Sequence, residues 1–562
     1  MAYAAPLREI EFTLSAMAGA DALGGLARFA EAGPDLRAAV LGEAAKLCEG
    51  ALAPANAAGD AHGARLENGV VRTAPGFAAA HAALAEGGWY GVAADAAHGG
   101  MGLPHAFWCA ANEMISGANL AFSMCPLLTV GHIEALEAHA PDWIRALYLP
   151  KLTSGRWTGT MCLTEPQAGS DVGALTTRAA SNDDGTFAIT GQKIYITWGD
   201  HDVAENVSHL VLARTPGAPE GAAGISLFLA PKFIPGADGA PGERNRIKVL
   251  SLERKLGVHG SPTCTMAFEG ATAWLIGEEN RGLAAMFTMM NNARLSVAMQ
   301  GVGLAGAATA MALGYARERR QGRTPNGAGP IVEHAEVRRM LATMCARTAA
   351  ARAVAYACAV AGDMGRAEDA PGRAGWAARA AFLTPIAKAF CTDVGFETAS
   401  LNVQVHGGMG YIEDAGAAQL LRDARIPPIY EGTNGIQALD LVGRKLADGG
   451  EAARALLAEM AAGSDAPALA EARAALAATT DWMLAAGRED RAAGAAPYLR
   501  AWALTFGAHL MARGAAADPS FAPLSAVMQT RELPAVSALC REATDGAAAL
   551  EALPLSDAAA FA

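Results

Sequence analysis

Apolar positions change their period twice along this chain. From Leu36 to Gly155, alanine-rich stretches carry apolar residues at helical spacing, with breaks at Pro54, Gly59, Gly63 and the Gly99-Gly100-Met101-Gly102 turn. Glycine and proline punctuate helices in this way, so residues 36–157 read as a helical domain. The texture then becomes β-branched and aromatic between Gly, Pro and Asp turns, in TFAITGQKIYITW (186–198), HLVLART (209–215), GISLFLAP (224–231) and TCTMAFEGATAWLIG (263–277). That pattern predicts an antiparallel β domain over residues 158–281. Helical spacing returns at Gly282 and runs to residue 446 with long charge-poor stretches, as in a bundle core. Residues 1–35 read as an extension with a short helix, and 447–562 as an additional helical domain. In that tail Leu456, Leu457, Met460, Trp482, Met483 and Leu484 form faces that must be buried. The expected class is α+β, mainly α.

Composition narrows the functions. A net charge of −12 and a pI near 5.5 argue against a nucleic-acid partner, which calls for a basic field. Nine scattered cysteines without a CxxC pair indicate neither a metal site nor a disulfide framework, and fit a reducing cytoplasm. The opening MAYAAPLREIEF lacks a basic region followed by an apolar core, so no secretory signal is expected. Residues 295–316 are uncharged over 22 positions, long enough to cross a bilayer, but they are mostly small residues and include Gln300. A helix buried in a bundle is expected there, with no membrane span. Within it GVGLAG (301–306) satisfies GxGxxG but follows a helical stretch in place of a strand, which excludes a dinucleotide-fold reading.

Four segments and a heptapeptide carry candidate chemistry. Tyr430-Glu431-Gly432-Thr433-Asn434-Gly435-Ile436 sets one carboxylate among small residues after the run RDARIPPI. A Glu on a glycine-containing turn reaches a substrate unobstructed, as a base for a carbon-bound proton must. Alone, it also fits a solvated helix start. CLTEPQAGSDV (162–172) offers Thr164, Gly169 and Ser170 to a planar heterocycle, or forms an ordinary turn and cap. KIYITWGD (193–200) offers an aromatic face, or a core aromatic of a sheet. YARERRQGR (315–323) offers guanidinium groups for phosphate, or a solvated helix end. QVHGGMGYIED (404–414) supplies glycines for close backbone approach.

Taken in this order with IYEGTNGIQ, these segments resemble the acyl-CoA dehydrogenase family of flavoproteins over about residues 80 to 446. The chain length, the opening YAAPLREIEFTL and the C-terminal extra region are similar to its 3-methylmercaptopropionyl-CoA branch. The resemblance implies FAD as cofactor, an acyl-CoA thioester as substrate and a trans-2-enoyl-CoA as product. It implies flavin contacts from Leu163, Thr164, Gly169, Ser170, Tyr195, Thr197, Arg319, Gln404, Gly408 and Thr433. Arg319, Gln404 and Gly408 match residues that serve a neighbouring subunit's cofactor, so a homodimer or dimer of dimers is implied. Ser170, Asn291, Arg294 and Tyr430 match substrate neighbours, and Glu431 the catalytic base, whose backbone N–H also holds the thioester carbonyl. An electron-transfer flavoprotein is the implied acceptor. The alternatives are an oxygen-using acyl-CoA oxidase and a non-catalytic helical assembly protein. Three departures stand out: Tyr195 occupies a place commonly held by Trp, Gly435 replaces a frequent Gln, and the segment after Arg319 is one residue short, with Gln321 and no Phe.

Overall fold

The computed structural model describes residues 3–463 and 466–555; Ser464 and Asp465, part of the tail, lie outside them. It divides into two compact units. The first comprises residues 3–7, 31–296 and 418–425, the second residues 8–30, 297–417 and 426–555. The long helix Gly282–Glu318 contributes residues to both.

In the first unit, helices His105–Ala118 and Leu120–His139 are buried along most of their length, as expected of apolar runs with few charges. Beside them in sequence lies a seven-stranded sheet in the order 157–162, 206–213, 226–231, 263–276, 187–197, 178–181, with 247–252 also paired to 263–276. Strand Thr263–Ile276 pairs at one end with 187–197 and at the other with 226–231. The change of partner falls between Ala273 and Trp274; before it, the pairing with 187–197 shifts register at Gly270, whose φ of +77° suits a glycine at a bulge. The sheet is mixed where an antiparallel one was expected. Strands 157–162 and 206–213 run parallel because the connection between them crosses over through two other strands.

The second unit is helical. Helices Ala335–Arg366 and Arg373–His406 pack against each other, and helix Ala495–Ala517 of the tail packs on both. Gly301 of GVGLAG serves helix packing: a Cβ there would stand 2.3 Å from the Cys391 carbonyl oxygen, and one at Gly395, on the facing helix, 2.8 Å from the Gly301 oxygen. Helix Gly282–Glu318 is long and apolar enough to cross a membrane by composition, yet 67% of its most apolar window is buried inside the protein. Burial in a bundle explains its composition. All nine cysteines are free.

Candidate functional site

In the first unit the loop after strand Trp157–Cys162 is fastened to strand Phe187–Thr197. The Ile194 N–H donates to the Thr164 oxygen at 2.9 Å, and the Lys193 ammonium donates to the Leu163 oxygen at 2.9 Å. Lys193 is fully buried and pairs with the buried Glu165 carboxylate at 2.8 Å. Glu165 also accepts from the backbone N–H groups of Thr176 and Thr177 and from both their hydroxyls, at 2.6–3.1 Å. Burial alone would raise this carboxyl, but the Lys193 charge and the donated hydrogen bonds outweigh it and hold the group at about 2. The loop is thereby closed by a buried ion pair that no motif announced.

That pair predicts a specific pH dependence. An unfolded Glu titrates near 4.5, so the stabilisation from Glu165 is fully present above that pH and is lost as pH falls toward about 2. Glu165→Gln leaves Lys193 buried without its counter-charge and is expected to cost about 3–5 kcal/mol at pH 7. Urea unfolding of the two proteins at several pH values checks this. The gap between them should narrow below pH 4.5, and a gap independent of pH would exclude the mechanism.

Tyr195 stands at a β-bulge. Ile196 faces Cys264 and Lys193 faces Met266, so Ile194 and Tyr195 together oppose the single residue Thr265. Tyr195 adopts φ +59° and is 60% exposed, its ring turned out of the ladder. The alternative of a core aromatic is therefore excluded for Tyr195 and is instead fulfilled by Trp198, which is buried beside Phe77 and Phe122. Thr197, Leu163 and Thr164 are half-buried on this strand and loop, and Gly169 and Ser170 are exposed. An accessible aromatic face with hydroxyls and loop backbone on neighbouring residues fits a planar heterocycle that carries hydrogen-bonding oxygens. On helix Gly282–Glu318, Asn291 is exposed and Arg294 buried. Their turn is anchored by Asn292, which donates to Glu134 at 2.6 Å and bonds His105 at 3.0 Å.

In the second unit Tyr430, Glu431 and Thr433 share one turn. Glu431 and Gly432 are both left-handed, with φ +54° and +82°. For a residue with a Cβ that conformation is uncommon, and it persists where surrounding bonds over-determine it. Thr433 is the N-cap of helix Asn434–Asp440, its hydroxyl accepting from the Ile436 N–H at 3.2 Å. Glu431 thus precedes the helix and its cap, which sets aside the helix-start reading. Tyr430 donates its hydroxyl to the Gln300 side chain, and burial with the neighbouring Glu431 charge raises its phenol well above the ordinary range. The turn is held from helix Arg373–His406 by buried Lys388 and from its own helix by Asn434 and buried Gln437, contacts that sequence reading missed. The available signal was Lys388 itself, a lone charge in the apolar run AAFLTPIAKAFC.

Arg319, Gln404 and Gly408 lie at or just past the C-terminal ends of helices Gly282–Glu318 and Arg373–His406. Tyr315, one turn before Arg319, stacks on His406 with ring centroids 4.1 Å apart. Arg319, Gln404 and Gly408 are exposed, and so are Met409, Tyr411 and Ile412 beside them.

Three family models match the chain in succession: acyl-CoA dehydrogenase, N-terminal domain at residues 38–156, middle domain at 160–271, and C-terminal domain at 280–447. The chain is 47% identical over 522 residues to the 3-methylmercaptopropionyl-CoA dehydrogenase of Ruegeria pomeroyi, covering 89% of this chain and 88% of that protein. Among solved structures it is similar in fold to Caenorhabditis elegans ACDH-11 in complex with C11-CoA, with a TM-score of 0.80, 20% identity, and coverage of 94% and 91%. A chain from the structure of the electron transferring flavoprotein of Acidaminococcus fermentans matches at a TM-score of 0.62 and 27% identity, over 73% of this chain and 98% of that one.

Proposed function

This chain belongs to the acyl-CoA dehydrogenase family, and from that premise we propose that its substrate is a short acyl-CoA with a β-thioether, of the 3-methylmercaptopropionyl-CoA type. The enzyme is an FAD-dependent oxidoreductase that dehydrogenates acyl-CoA thioesters. The substrate proposal is supported by similarity over 89% of this chain to a relative that bears that name.

The observation that carries the assignment of residues is the turn at Glu431, a carboxylate set on two successive left-handed residues and clamped by buried side chains. In our reading the Glu431 carboxylate removes the α-proton of the thioester, and its backbone N–H donates to the thioester oxygen as charge develops there. Bound FAD supplies the two-electron acceptor for the hydrogen that leaves the β-carbon. Leu163, Thr164, Gly169, Ser170, Tyr195 and Thr197 would hold the ring of that cofactor, and Thr433 its phosphate side. Ser170, Asn291, Arg294 and Tyr430 would border the substrate.

The exposed Arg319, Gln404 and Gly408, with exposed Met409, Tyr411 and Ile412 beside them, support a shared site in a homodimer or dimer of dimers. An electron-transfer flavoprotein is the proposed acceptor, supported by the likeness to a chain from such a structure. A panel of acyl-CoA esters assayed by anaerobic flavin bleaching tests the substrate. The highest kcat/KM is expected for 3-methylmercaptopropionyl-CoA, and a clear preference for butyryl-CoA or a longer straight chain would overturn the proposal. Stoichiometric peroxide in air would mark an oxidase.

A further inference from the structure

The geometry points to Lys388 as a positioning residue for the catalytic base: its buried ammonium holds the left-handed turn on which Glu431 stands. This inference rests on the assignment of Glu431 as base. Lys388 lies in the middle of helix Arg373–His406 and is fully buried. An ammonium is tolerated there only where acceptors meet it. Two of them belong to the turn: the Gly432 carbonyl oxygen and the Asn434 Oδ1, each 2.9 Å from Nζ.

Asn434 is fixed in turn against the same helix. Its Nδ2 donates to Asp393 at 2.7 Å, to the Thr392 hydroxyl at 3.1 Å and to the Ala389 oxygen at 3.2 Å. Its own N–H donates to the Pro428 oxygen at 3.0 Å, closing the chain around Ile429–Thr433. The buried Gln437 amide adds bonds to the Glu431 and Gly432 oxygens at 3.3 and 3.2 Å. The carbonyls of both left-handed residues are therefore bonded by side chains.

These bonds have a directional consequence. A Glu at φ +54° prefers to relax toward negative φ, and doing so swings its carboxylate away from the present position. Lys388 bonds the carbonyl of the residue immediately after Glu431 and the side chain that opens the next helix, so it opposes that relaxation at both points. An apolar residue filling the same space would leave the Gly432 oxygen with the Gln437 amide, at 3.2 Å, and Asn434 Oδ1 with the Thr392 hydroxyl, at 3.3 Å, as their longer remaining donors. Misplacement of a reacting group by about 1 Å costs about 10²-fold in rate, which sets the scale of the effect.

The test uses the FAD-loaded full-length enzyme and anaerobic single-turnover flavin reduction with 3-methylmercaptopropionyl-CoA and, in parallel, butyryl-CoA. Lys388→Met should reduce the flavin about 10²-fold more slowly while retaining flavin content and substrate affinity near those of the unmodified protein. Lys388→Arg, which keeps the charge and the donors, should recover part of the rate. A purely structural lysine would instead lower flavin content, substrate affinity and rate together, and that pattern would overturn the proposal. So would a normal rate in folded Lys388→Met. Should Lys388→Met fail to fold, Asn434→Ala, which removes the side-chain acceptor and keeps the lysine, is expected to show the same slowing, and a normal rate in it would equally overturn the proposal. Glu431→Gln run beside them separates the two assignments: normal flavin reduction in that variant refutes the base, whereas its inactivity with normal Lys388→Met refutes Lys388 alone.

Discussion

Glu431→Gln is expected to remain folded and yellow, to bind acyl-CoA, and to lose substrate-driven flavin bleaching by at least ~10²–10⁴-fold. The amide matches the carboxylate in shape but accepts no proton, so the loss falls on the proton-transfer step. A companion variant uses the backbone. Glu431 is left-handed, a conformation that costs roughly 1–2 kcal/mol for a residue with a Cβ and that glycine adopts freely. Glu431→Gly should therefore be at least as stable as the native chain in thermal unfolding and equally inactive. Higher stability with lost chemistry is the signature of a position held for function, since a residue kept for the fold would show the reverse. Near-native flavin reduction in Glu431→Gln would place the base on another residue.

The sequence made some features of this architecture legible because they depend on neighbours along the chain. β-Branched and aromatic residues between Gly, Pro and Asp turns marked the strand at 187–197 and the long strand at 263–276, and a glycine-bearing turn marked Glu431. The GVGLAG segment was read as helical and not as a dinucleotide-fold turn, and it lies within helix Gly282–Glu318, although only the structure shows that Gly301 admits the Cys391 backbone. What escaped depends on partners remote in sequence. The bulge that turns Tyr195 outward arises from the register against strand 263–276, and a one-residue shift leaves no mark in the strand's own pattern. The Glu165–Lys193 pair spans 28 positions and the Lys388–Gly432 bond spans 44, so neither follows any helical or strand period. The parallel pairing of strands 157–162 and 206–213 is a property of connection order, which apolar spacing does not encode.

Trp502→Ala, at a residue with no assigned part in the chemistry, is expected to cost about 3–5 kcal/mol of stability and to lower the thermal midpoint of the bundle, not of the tail alone. Trp502 is fully buried in helix Ala495–Ala517, and its ring meets Phe382 of helix Arg373–His406 edge-on, with centroids 5.0 Å apart. Along the same helix, a Cβ at Gly507 would stand 3.1 Å from Ala350 Cβ, so tail and bundle backbones approach closely. Ion pairs follow the same seam: Arg500 donates to Glu397 at 3.0 Å, and Arg347 bridges Glu397 and Glu532 at 2.8 Å each. The N-terminal segment joins as well, with Phe12 and Phe521 5.3 Å apart. Of the apolar residues read in the tail, Leu456, Met460 and Met483 are buried and Leu457, Trp482 and Leu484 half-buried. Helices Glu451–Gly463 and Ala495–Ala517 pack on the helix that also carries Lys388, whereas Pro467–Ala485 packs on other tail helices, so removing residues 450–562 should strip that helix of its cover. In the folded fraction of Trp502→Ala, flavin reduction should keep its native rate, because no tail residue belongs to the base turn or the loop at 163–170. Calorimetry with flavin absorbance followed in the same melt checks both halves. An early, separate tail transition would show that tail and bundle do not share a core, and a slowed rate in the folded protein would give the tail a part in the chemical step.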